Sequence, residues 1–433
     1  MKISKRILGA ALSGVLLAGS LAGCASNPGG NNTPAPGGSD NQYTGTSSPA
    51  PSVSTRPVGE SVPLVATEDV VQEIMGYPSD TTVLTVDGVG VSAEEVLYWL
   101  GYVTENIAYY QYGGPENMDW SADMSGQTMT DYLMEGAREM ATLYQVIRNK
   151  AADNGIALSE SDEAALADQI SQTIASMGGE EEYAKSLQQV GRTDAGLRQM
   201  AATNNYLYPH LQEALFGTVS AGTDEEITAW ADENGKMLVK HILFKTVDDQ
   251  NAPLSEEEQA AAKQKAEDTL AQLRASEDPN TLFDQLMNEL SEDGRYEDGT
   301  LGAPDGYFFG AGEMVQEFED AAKALKENEI SDLVQTSYGY HIILRLPVDP
   351  EMARDSWSAA QSTDLENKMN DQVNEWMEAA VVETNENYDA IAPQTYYEKL
   401  NAYREELEPT EEPTGSASPA PSGTAAPENS PAA

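Results

Sequence analysis

The sequence contains little cysteine, histidine or positive charge, and each shortage excludes a class of protein. A single cysteine among 433 residues cannot form an internal disulfide or a cysteine-rich zinc site, and three histidines leave too few ligands for a histidine-bound metal. No metal or cofactor is therefore expected. Asp and Glu outnumber Lys and Arg by 72 to 24, and the formal charge of −48 repels phosphate backbones. This balance argues against nucleic acid as a partner.

Residues 1–23 have the pattern of a bacterial export signal. A basic start precedes an apolar run over residues 7–17, which is shorter than the about 20 apolar residues that a membrane-spanning helix needs. Leu-Ala-Gly-Cys then ends at Cys24, the only cysteine of the chain. This motif resembles the lipobox of bacterial lipoproteins, and the resemblance implies cleavage before Cys24 and a lipid on its sulfur. An ordinary secretory signal with an incidental cysteine is the alternative.

Two further segments have compositions that do not support a folded core. Residues 24–62 consist mainly of Pro, Gly, Ser, Thr and Asn, and residues 401–433 are acidic and then rich in Pro, Ser and Ala. Neither segment has enough apolar surface to offset the entropy of ordering, so both are predicted to be disordered. The first is interpreted as a linker that begins with the lipidated cysteine, and the second as an acidic tail. Roughly 340 residues remain to fold, which suggests two units.

Residues 63–235 are predicted to form a mostly α-helical domain. β-Branched residues on both sides of an Asp-Gly pair predict a hairpin over residues 82–91, and Ser92 is placed to cap the helix that follows. The methionines and tyrosines of this helical half, among them Met140, Tyr109 and Tyr110, are interpreted as core packing, with a groove for apolar segments as the alternative. Apolar residues at helical spacing predict helices over 132–152, 159–177, 180–190 and 193–215.

Residues 236–348 differ from the helical part, because strands are predicted at both ends with helices between them. The strands lie at 236–245 and 338–346, and Ser255 begins a capping box for the first helix. This order of elements predicts an α+β fold. Residues 349–400 return to helical spacing, and their broad apolar face is expected to pack on the N-terminal helices.

Five blocks of residues 236–348 resemble, in order and spacing, the parvulin-type peptidyl-prolyl isomerases. The resemblance implies a parvulin-like domain, a small antiparallel sheet with surrounding helices, joined to a mostly helical chaperone-like domain. The wider order of lipobox, helical segment, parvulin unit and closing helix resembles exported foldases of the PrsA/SurA type. The blocks are Val-Lys-His-Ile-Leu at 239–243, Leu-Ser-Glu-Asp at 290–293, residues 306–322, Glu-Ile-Ser-Asp at 329–332 and residues 338–344.

Prolyl isomerisation needs neither a nucleophile nor a metal. Amide resonance gives rotation about an X-Pro bond a barrier of about 18–20 kcal/mol. A catalyst has only to bind the twisted amide better than either planar form. That task requires an apolar cup for the proline ring and a few polar groups near the rotating carbonyl.

The resemblance implies four catalytic residues, all polar. His241 and His341 match the paired core histidines of parvulins, whose linked imidazoles set the hydrogen-bond network beneath the site. Asp293 falls where the family has Cys or Asp beside the substrate carbonyl. Thr336 matches the hydroxyl that bonds a histidine.

The resemblance also implies four substrate-binding residues. Met314 and Phe318, four apart on one helix face, match the floor of the proline pocket. Phe309 matches a wall of that pocket. Tyr338 stands at the rim, where several relatives have Ser, and this departure bears on the chemistry of the rim.

Two loops also depart from the family pattern. Gly306 occupies the position of a family Leu, so Leu301 is not counted as a pocket residue. Residues 246–254 carry Asp248 and Asp249 where relatives that require phosphorylation before proline have a basic cluster. An acidic loop repels phosphate, so phospho-specificity is not expected.

Two functions of different classes are compatible with these observations. The first is a membrane-anchored prolyl isomerase on the outer face of the bacterial cytoplasmic membrane, a foldase for exported polypeptides with X-Pro bonds. The second is a non-catalytic chaperone that uses the parvulin unit as a scaffold or peptide-binding module. The presence of the pocket residues favours the first hypothesis.

Overall fold

The computed structural model describes residues 63–296 and 298–407. The predicted signal, Cys24 with its linker, and the tail from residue 408 onward lie outside the described residues. The chain divides into two compact units, one formed by residues 216–369 and the other by the residues before and after them. Within the described ranges, no helix combines the length and apolar character needed to span a membrane.

The first unit opens with a short helix and a hairpin. Helix α1 spans Val70–Met75, and strands β1 (Thr82–Val86) and β2 (Val89–Ser92) pair antiparallel. Asp87 and Gly88 join the strands with positive φ angles of 53° and 80°, as both central positions of a type I′ turn require. The predicted hairpin is therefore confirmed.

Helices make up the remainder of this first part of the chain. Helix α2 (Ala93–Tyr112) begins at the predicted cap, because the Ser92 hydroxyl accepts a hydrogen bond from the Glu95 N–H at 3.3 Å. A π-helical turn at Thr203–Leu207 interrupts the single helix predicted over 193–215. The other helices are α3 (Met129–Asp153), α4 (Glu160–Ser176), α5 (Glu180–Gln189), α6 (Asp194–Ala202) and α7 (Tyr208–Phe216).

The core of the first unit forms around Trp99 of α2. Its ring packs against Tyr144 of α3 with ring centroids 5.1 Å apart, and both side chains are fully buried. Met140 lies in the same core, as the packing interpretation of these methionines and tyrosines predicts. Tyr109 and Tyr110, near the end of α2, are exposed instead. Core packing therefore accounts for only part of this set.

The second unit has the predicted α+β architecture. Its elements are α8 (Asp224–Glu233), β3 (Met237–Lys245), α9 (Glu256–Ala275), α10 (Pro279–Leu290), β4 (Tyr307–Phe309), α11 (Gln316–Ala324), β5 (Val334–Gln335) and β6 (Gly339–Leu346). The strands form one antiparallel sheet in the order β4-β3-β6-β5. The central pair, β3 and β6, runs from Leu238 opposite Leu346 to Lys245 opposite Gly339.

The two faces of this sheet carry different side chains, because successive residues of a strand point to opposite sides. Ile242 and Phe244 pack into an apolar core with α9 and α10. His241 and Leu243 point to the other side, and His341 lies opposite Leu243 in the strand pairing. Both histidines therefore share the face on which α11 packs.

The chain then completes the sheet of the first unit. Helix α12 (Pro350–Ala379) is followed by β7 (Val382–Thr384), which pairs antiparallel with β1 and gives the order β2-β1-β7. The sequence did not indicate this third strand. Helices α13 (Glu386–Asp389) and α14 (Pro393–Leu407) end the described chain. Residues 401–407 were predicted to belong to the disordered tail and are helical instead, because Tyr403 is buried in the core of the first unit.

The two ends of helix α12 have different neighbours. Near its start, Trp357 packs edge-on against Trp230 of α8 with centroids 5.8 Å apart, and its indole N–H donates to the carbonyl of Ser220 at 2.9 Å. Near its end, Trp376 packs against the core of the first unit. The apolar face of this helix therefore does not have a single partner.

Candidate active site

Two buried histidines lie side by side on the face of the sheet that packs against α11. The Nδ1 atoms of His241 and His341 are 3.0 Å apart, and the two rings are nearly parallel, with an interplanar angle of 12°. The Phe318 ring makes T-shaped contacts with both imidazoles, at centroid distances of 5.2 Å and 5.3 Å. One Nδ1 atom must donate and the other must accept, so the protonation of the two rings is linked.

Asp293 and Tyr307 extend this pair at the His241 end. Oδ2 of Asp293 lies 2.9 Å from Nε2 of His241 and accepts a hydrogen bond from the Tyr307 hydroxyl at 2.6 Å. Burial alone raises the pKa of Asp293, but hydrogen bonds from His241 and Tyr307 outweigh burial and lower it to about 2. An ionised carboxylate can only accept, so Nε2 of His241 carries a proton and donates it.

Thr336 ends the row beside His341. Its Oγ1 lies 2.9 Å from Nε2 of His341 and accepts a hydrogen bond from the Tyr338 N–H at 3.1 Å. Burial, together with the neighbouring His241, lowers the pKa of His341 to about 3, so this imidazole is neutral at pH 7. With His341 neutral and Nε2 of His241 donating to Asp293, one arrangement that satisfies every atom has Thr336 donating to His341, His341 to His241, and His241 to Asp293.

The segment before Asp293 is tied to strand β3. The Ser291 hydroxyl accepts a hydrogen bond from the Leu243 N–H at 3.2 Å, and the Glu292 N–H donates to the Leu243 carbonyl at 2.9 Å. The Glu292 carboxylate also accepts from the Lys245 N–H at 2.7 Å. These contacts hold Asp293 beside the strand, which gives a physical reason for the Leu-Ser-Glu-Asp block.

A cavity of about 480 Å³ opens over this row. Its floor is apolar and is formed by Phe318, only 4% exposed, and by the half-buried Met314. Its wall is polar and includes His241, Asp293 and His341. A cleft of this volume with an apolar floor and few polar groups is typical of a binding site for a small group or a short peptide segment.

Not every predicted site residue lies at this cavity. Tyr338 is 44% exposed and forms part of the rim, as expected, whereas Thr336 lies buried beneath the wall. Phe309, expected as a wall, is 1% exposed and packs behind Phe318 with centroids 6.0 Å apart. Tyr307 lines the cavity in its place. Strand alternation is the signal that could have identified Tyr307, because it shares a face of β4 with Phe309.

Steric crowding explains why glycine occupies two positions near the site, Gly306 and Gly339. Gly306 has a φ of 101°, and a Cβ atom there would lie 2.4 Å from the Val239 carbonyl oxygen, so no side chain fits where relatives have Leu. Leu301 is buried on the opposite face of the sheet, in the core that contains Ile242. It is therefore not a pocket residue. Gly339 at the start of β6 is equally constrained, because its Cβ would lie 2.1 Å from the Phe244 carbonyl oxygen.

The chemistry that this site offers is hydrogen bonding and apolar contact. The hydroxyl of Tyr307 is held by Asp293, and burial together with this carboxylate raises its pKa, so it stays protonated. The hydroxyl of Thr336 is engaged beneath the wall by His341. Among residues 63–296 and 298–407, no group of His, Cys, Asp and Glu side chains is arranged to hold a metal ion. The hydroxyl, imidazole and carboxylate groups of the wall and the apolar floor can bind and orient an amide.

Comparison with known proteins identifies the domain that contains this site. Residues 241–346 match the family model of the PPIC-type PPIase domain, a rotamase. The foldase protein PrsA of Halalkalibacterium halodurans is 38% identical over 148 residues, which cover 33% of this chain and 37% of that protein. The PrsA foldase of Caldanaerobacter subterraneus is 28% identical over 231 residues, which cover 52% of this chain and 60% of that protein.

A solved structure covers more of the chain at lower similarity. The crystal structure of peptidylprolyl isomerase PrsA from Bacillus cereus is 19% identical and covers 67% of this chain and 99% of its own, with a TM-score of 0.30. The chain spans between a third and three fifths of the length of the two curated relatives. Residues 241–346 are a parvulin-type peptidyl-prolyl isomerase domain of the PPIC-type family, in a chain that is similar to PrsA foldases.

Proposed function

We propose that this chain is a peptidyl-prolyl cis–trans isomerase that assists the folding of exported polypeptides. The observation that carries the proposal is a fixed row of hydrogen bonds, from Asp293 to Thr336, beneath a cavity whose floor is the apolar ring of Phe318. The similarity to PrsA proteins, which are named as foldases, supports the wider role.

Each part of the cavity has a task in rotating an X-Pro bond. The apolar floor holds the proline ring, and so fixes one side of the bond. The polar wall faces the amide, and its donors and acceptors are ordered before the substrate binds, so little reorganisation accompanies the twist. Phe318 contacts both imidazoles and joins floor and wall into one surface. A surface of this kind favours the twisted amide over either planar form.

The charge of the cavity supports substrates that are not phosphorylated. Asp248 and Asp249 of the loop after β3 line the cavity, and Lys245 is the only Lys or Arg among the described lining residues. A phosphate beside the proline would meet like charge there. Ordinary X-Pro segments of unfolded chains are therefore the proposed substrates.

The proposed location is the outer face of the bacterial cytoplasmic membrane. Its support is the export signal and the lipobox that ends at Cys24. A lipid on Cys24 would anchor the protein, and residues 24–62 would separate the folded units from the surface. In this proposal the protein contacts the membrane through the lipid on Cys24.

A second candidate function is a chaperone that binds unfolded chains without catalysis. It is favoured by a cleft of about 370 Å³ in the first unit, lined by Tyr102, Tyr109 and Tyr110 of α2. Exposed tyrosines offer large apolar rings with a polar tip and can cover segments of varied sequence. The two functions can be separated by assay.

The test of catalysis is a proline-isomerisation assay of the full chain with short unphosphorylated peptides. Wild type is expected to accelerate an exchange that takes tens of seconds or more without a catalyst. Met314→Ala removes part of the floor and should lower kcat/KM. Met352→Ala is the matched control, because Met352 is also half-buried but lies in α12, outside the cavity. If wild type gives no acceleration, the non-catalytic chaperone is the better hypothesis.

A further inference from the structure

The cavity of the isomerase domain carries an excess of negative charge. Its lining includes the carboxylates of Asp248, Asp249, Asp293 and Glu313, against the single cation of Lys245. A cleft lined by one sign of charge concentrates ligands of the opposite sign. The next question is which of these carboxylates can still bind a ligand.

Two of the four carboxylates are occupied by neighbouring side chains. Glu313 lies 2.6 Å from the ammonium of Lys236, which compensates its charge. Asp293 accepts hydrogen bonds from His241 and Tyr307 on one oxygen. Both carboxylates therefore already have partners and are less available to bind a positively charged ligand.

The other two carboxylates lie in the loop after β3 and have different tasks. Oδ1 of Asp248 accepts hydrogen bonds from the backbone N–H groups of Gln250 at 2.9 Å and Ala252 at 2.8 Å, so Asp248 holds the loop in shape. Asp249 is exposed, and its carboxylate makes no hydrogen bond or ion pair with another described residue. The loop thus presents one free carboxylate at the cavity.

We infer that the cavity selects X-Pro segments with a Lys or Arg next to the proline, and that Asp249 determines this specificity. The inference rests on the proposed isomerase function. The loop of Asp249 and the floor at Met314 and Phe318 line the same cavity, so a long side chain beside a seated proline can reach the loop. Lys and Arg side chains combine this length with a positive charge.

The test compares three peptides that differ only in the residue before proline, which is Lys, Leu or Glu. Using the full chain at low salt, kcat/KM should fall in that order, with a Lys-to-Glu ratio of about tenfold. Attraction and repulsion at an exposed carboxylate each contribute up to about fivefold. The ratio should shrink at high ionic strength, because salt screens exposed charges.

Variants locate the effect. Asp249→Asn should reduce the Lys-to-Glu ratio and Asp249→Lys should reverse it. Glu327→Gln is the matched control, because Glu327 is exposed and lies outside the cavity, and it should leave the ratio unchanged. A wild-type ratio near one, or a ratio that Asp249→Lys does not alter, overturns the inference while the proposed function stands.

A binding measurement tests the charge selectivity separately from the proposed catalysis. Fluorescence anisotropy of the same labelled peptides should show about tenfold tighter binding of the Lys peptide than of the Glu peptide. If no peptide is isomerised but this preference is present, the proposed catalysis fails and the charge selectivity holds. Equal affinities for the two peptides overturn the selectivity, whatever the turnover.

Discussion

The hydroxyl of Thr336 lies 2.9 Å from Nε2 of His341 and ends the row of hydrogen bonds that begins at Asp293. A hydroxyl that donates to Nε2 leaves Nδ1 of His341 as the donor toward His241. His241 then accepts at Nδ1 and presents its Nε2–H to Asp293. In this arrangement the direction of the row starts at Asp293, whose ionised carboxylate can only accept, and the Thr336 hydroxyl can adapt because a hydroxyl donates or accepts.

Removing that hydroxyl should disturb both stability and turnover. Thr336→Val keeps the shape of the side chain but leaves the buried Nε2 of His341 without a donor, which costs about 1–3 kcal/mol in the free energy of unfolding. We expect kcat/KM to fall about tenfold, since the polar wall loses its fixed protons. Urea denaturation and the proline-isomerisation assay measure the two effects. Thr336→Ser restores the hydroxyl and should recover most of both, and unchanged stability and turnover in Thr336→Val would contradict this account.

The buried histidine predicts a loss of stability on mild acidification. The pKa of His341 is about 3 in the folded protein against an ordinary value of 6.5, so the unfolded chain binds more protons between these values. The free energy of unfolding should therefore fall as the pH decreases from 6.5 toward 3. The pKa of Asp293, about 2 against 3.8, adds a further loss below about pH 4.

Urea titrations at a series of pH values test this dependence. His341→Gln should flatten the curve between pH 6.5 and about 4.5, where most carboxylates are still ionised. His210→Gln is the control, since this side chain is 38% exposed and belongs to the first unit. An equal slope in wild type and His341→Gln would show that the imidazole is not buried neutral.

Phosphorylation before proline should bring no advantage. A phosphoserine-proline peptide would place negative charge near Asp248 and Asp249, which line the cavity. We therefore expect its kcat/KM to be equal to or lower than that of the matching serine-proline peptide. The two peptides are compared in one assay at one ionic strength. A clear preference for the phosphorylated peptide would refute this assignment.

The lipobox predicts how the protein fractionates in cells. Cys24→Ala removes the thiol that would carry lipid, and the protein should then remain unprocessed or leave the membrane fraction. Each buried CH₂ of an acyl chain contributes about 0.8 kcal/mol, so two chains anchor a protein firmly. Ser39→Ala, in the same predicted linker, should behave like wild type. Identical fractionation of Cys24→Ala and wild type would exclude the lipid anchor.

Catalysis and protection against aggregation should depend on different units. Asp293→Ala removes the acceptor at the polar wall with little loss of packing, and we expect isomerisation to slow about tenfold to a thousandfold. Protection of an unfolded client from aggregation should persist in this variant. Tyr109→Ala with Tyr110→Ala, in the first unit, should have the reverse effect. Equal loss of both activities in a folded Asp293→Ala protein would mean that one site serves both.

The sequence predicted the polar residues of the site better than the aromatic residues that line the cavity. His241 and His341 lie a hundred positions apart, and no periodicity links them, so only the resemblance to parvulins could pair them. Tyr307 was not predicted as a site residue, because its role depends on a hydrogen bond from its hydroxyl to Asp293, which lies 14 positions earlier in the chain. The resemblance to parvulins placed Phe309 at a wall, and the sequence does not show that helix α11 covers this residue.

The fold was predictable where a local signal exists. Asp87-Gly88 and the Ser92 cap each act within a few residues, and both form as predicted. Strand β7 has three residues, Val-Glu-Thr, which are too few to show an alternating pattern. It becomes a strand because β1 offers an unpaired edge, and that partner lies far away in the sequence.

The pairing of β1 with β7 also constrains the order in which the chain can fold. Leu84 lies opposite Thr384, and residues 216–369 come between the two strands. A chain that emerges N-terminus first presents the complete isomerase unit before it supplies β7. One edge of β1 remains unpaired until then. An unpaired strand edge can pair with another chain and so promote aggregation. The parvulin-type domain can therefore finish folding before the first unit receives the third strand of its sheet.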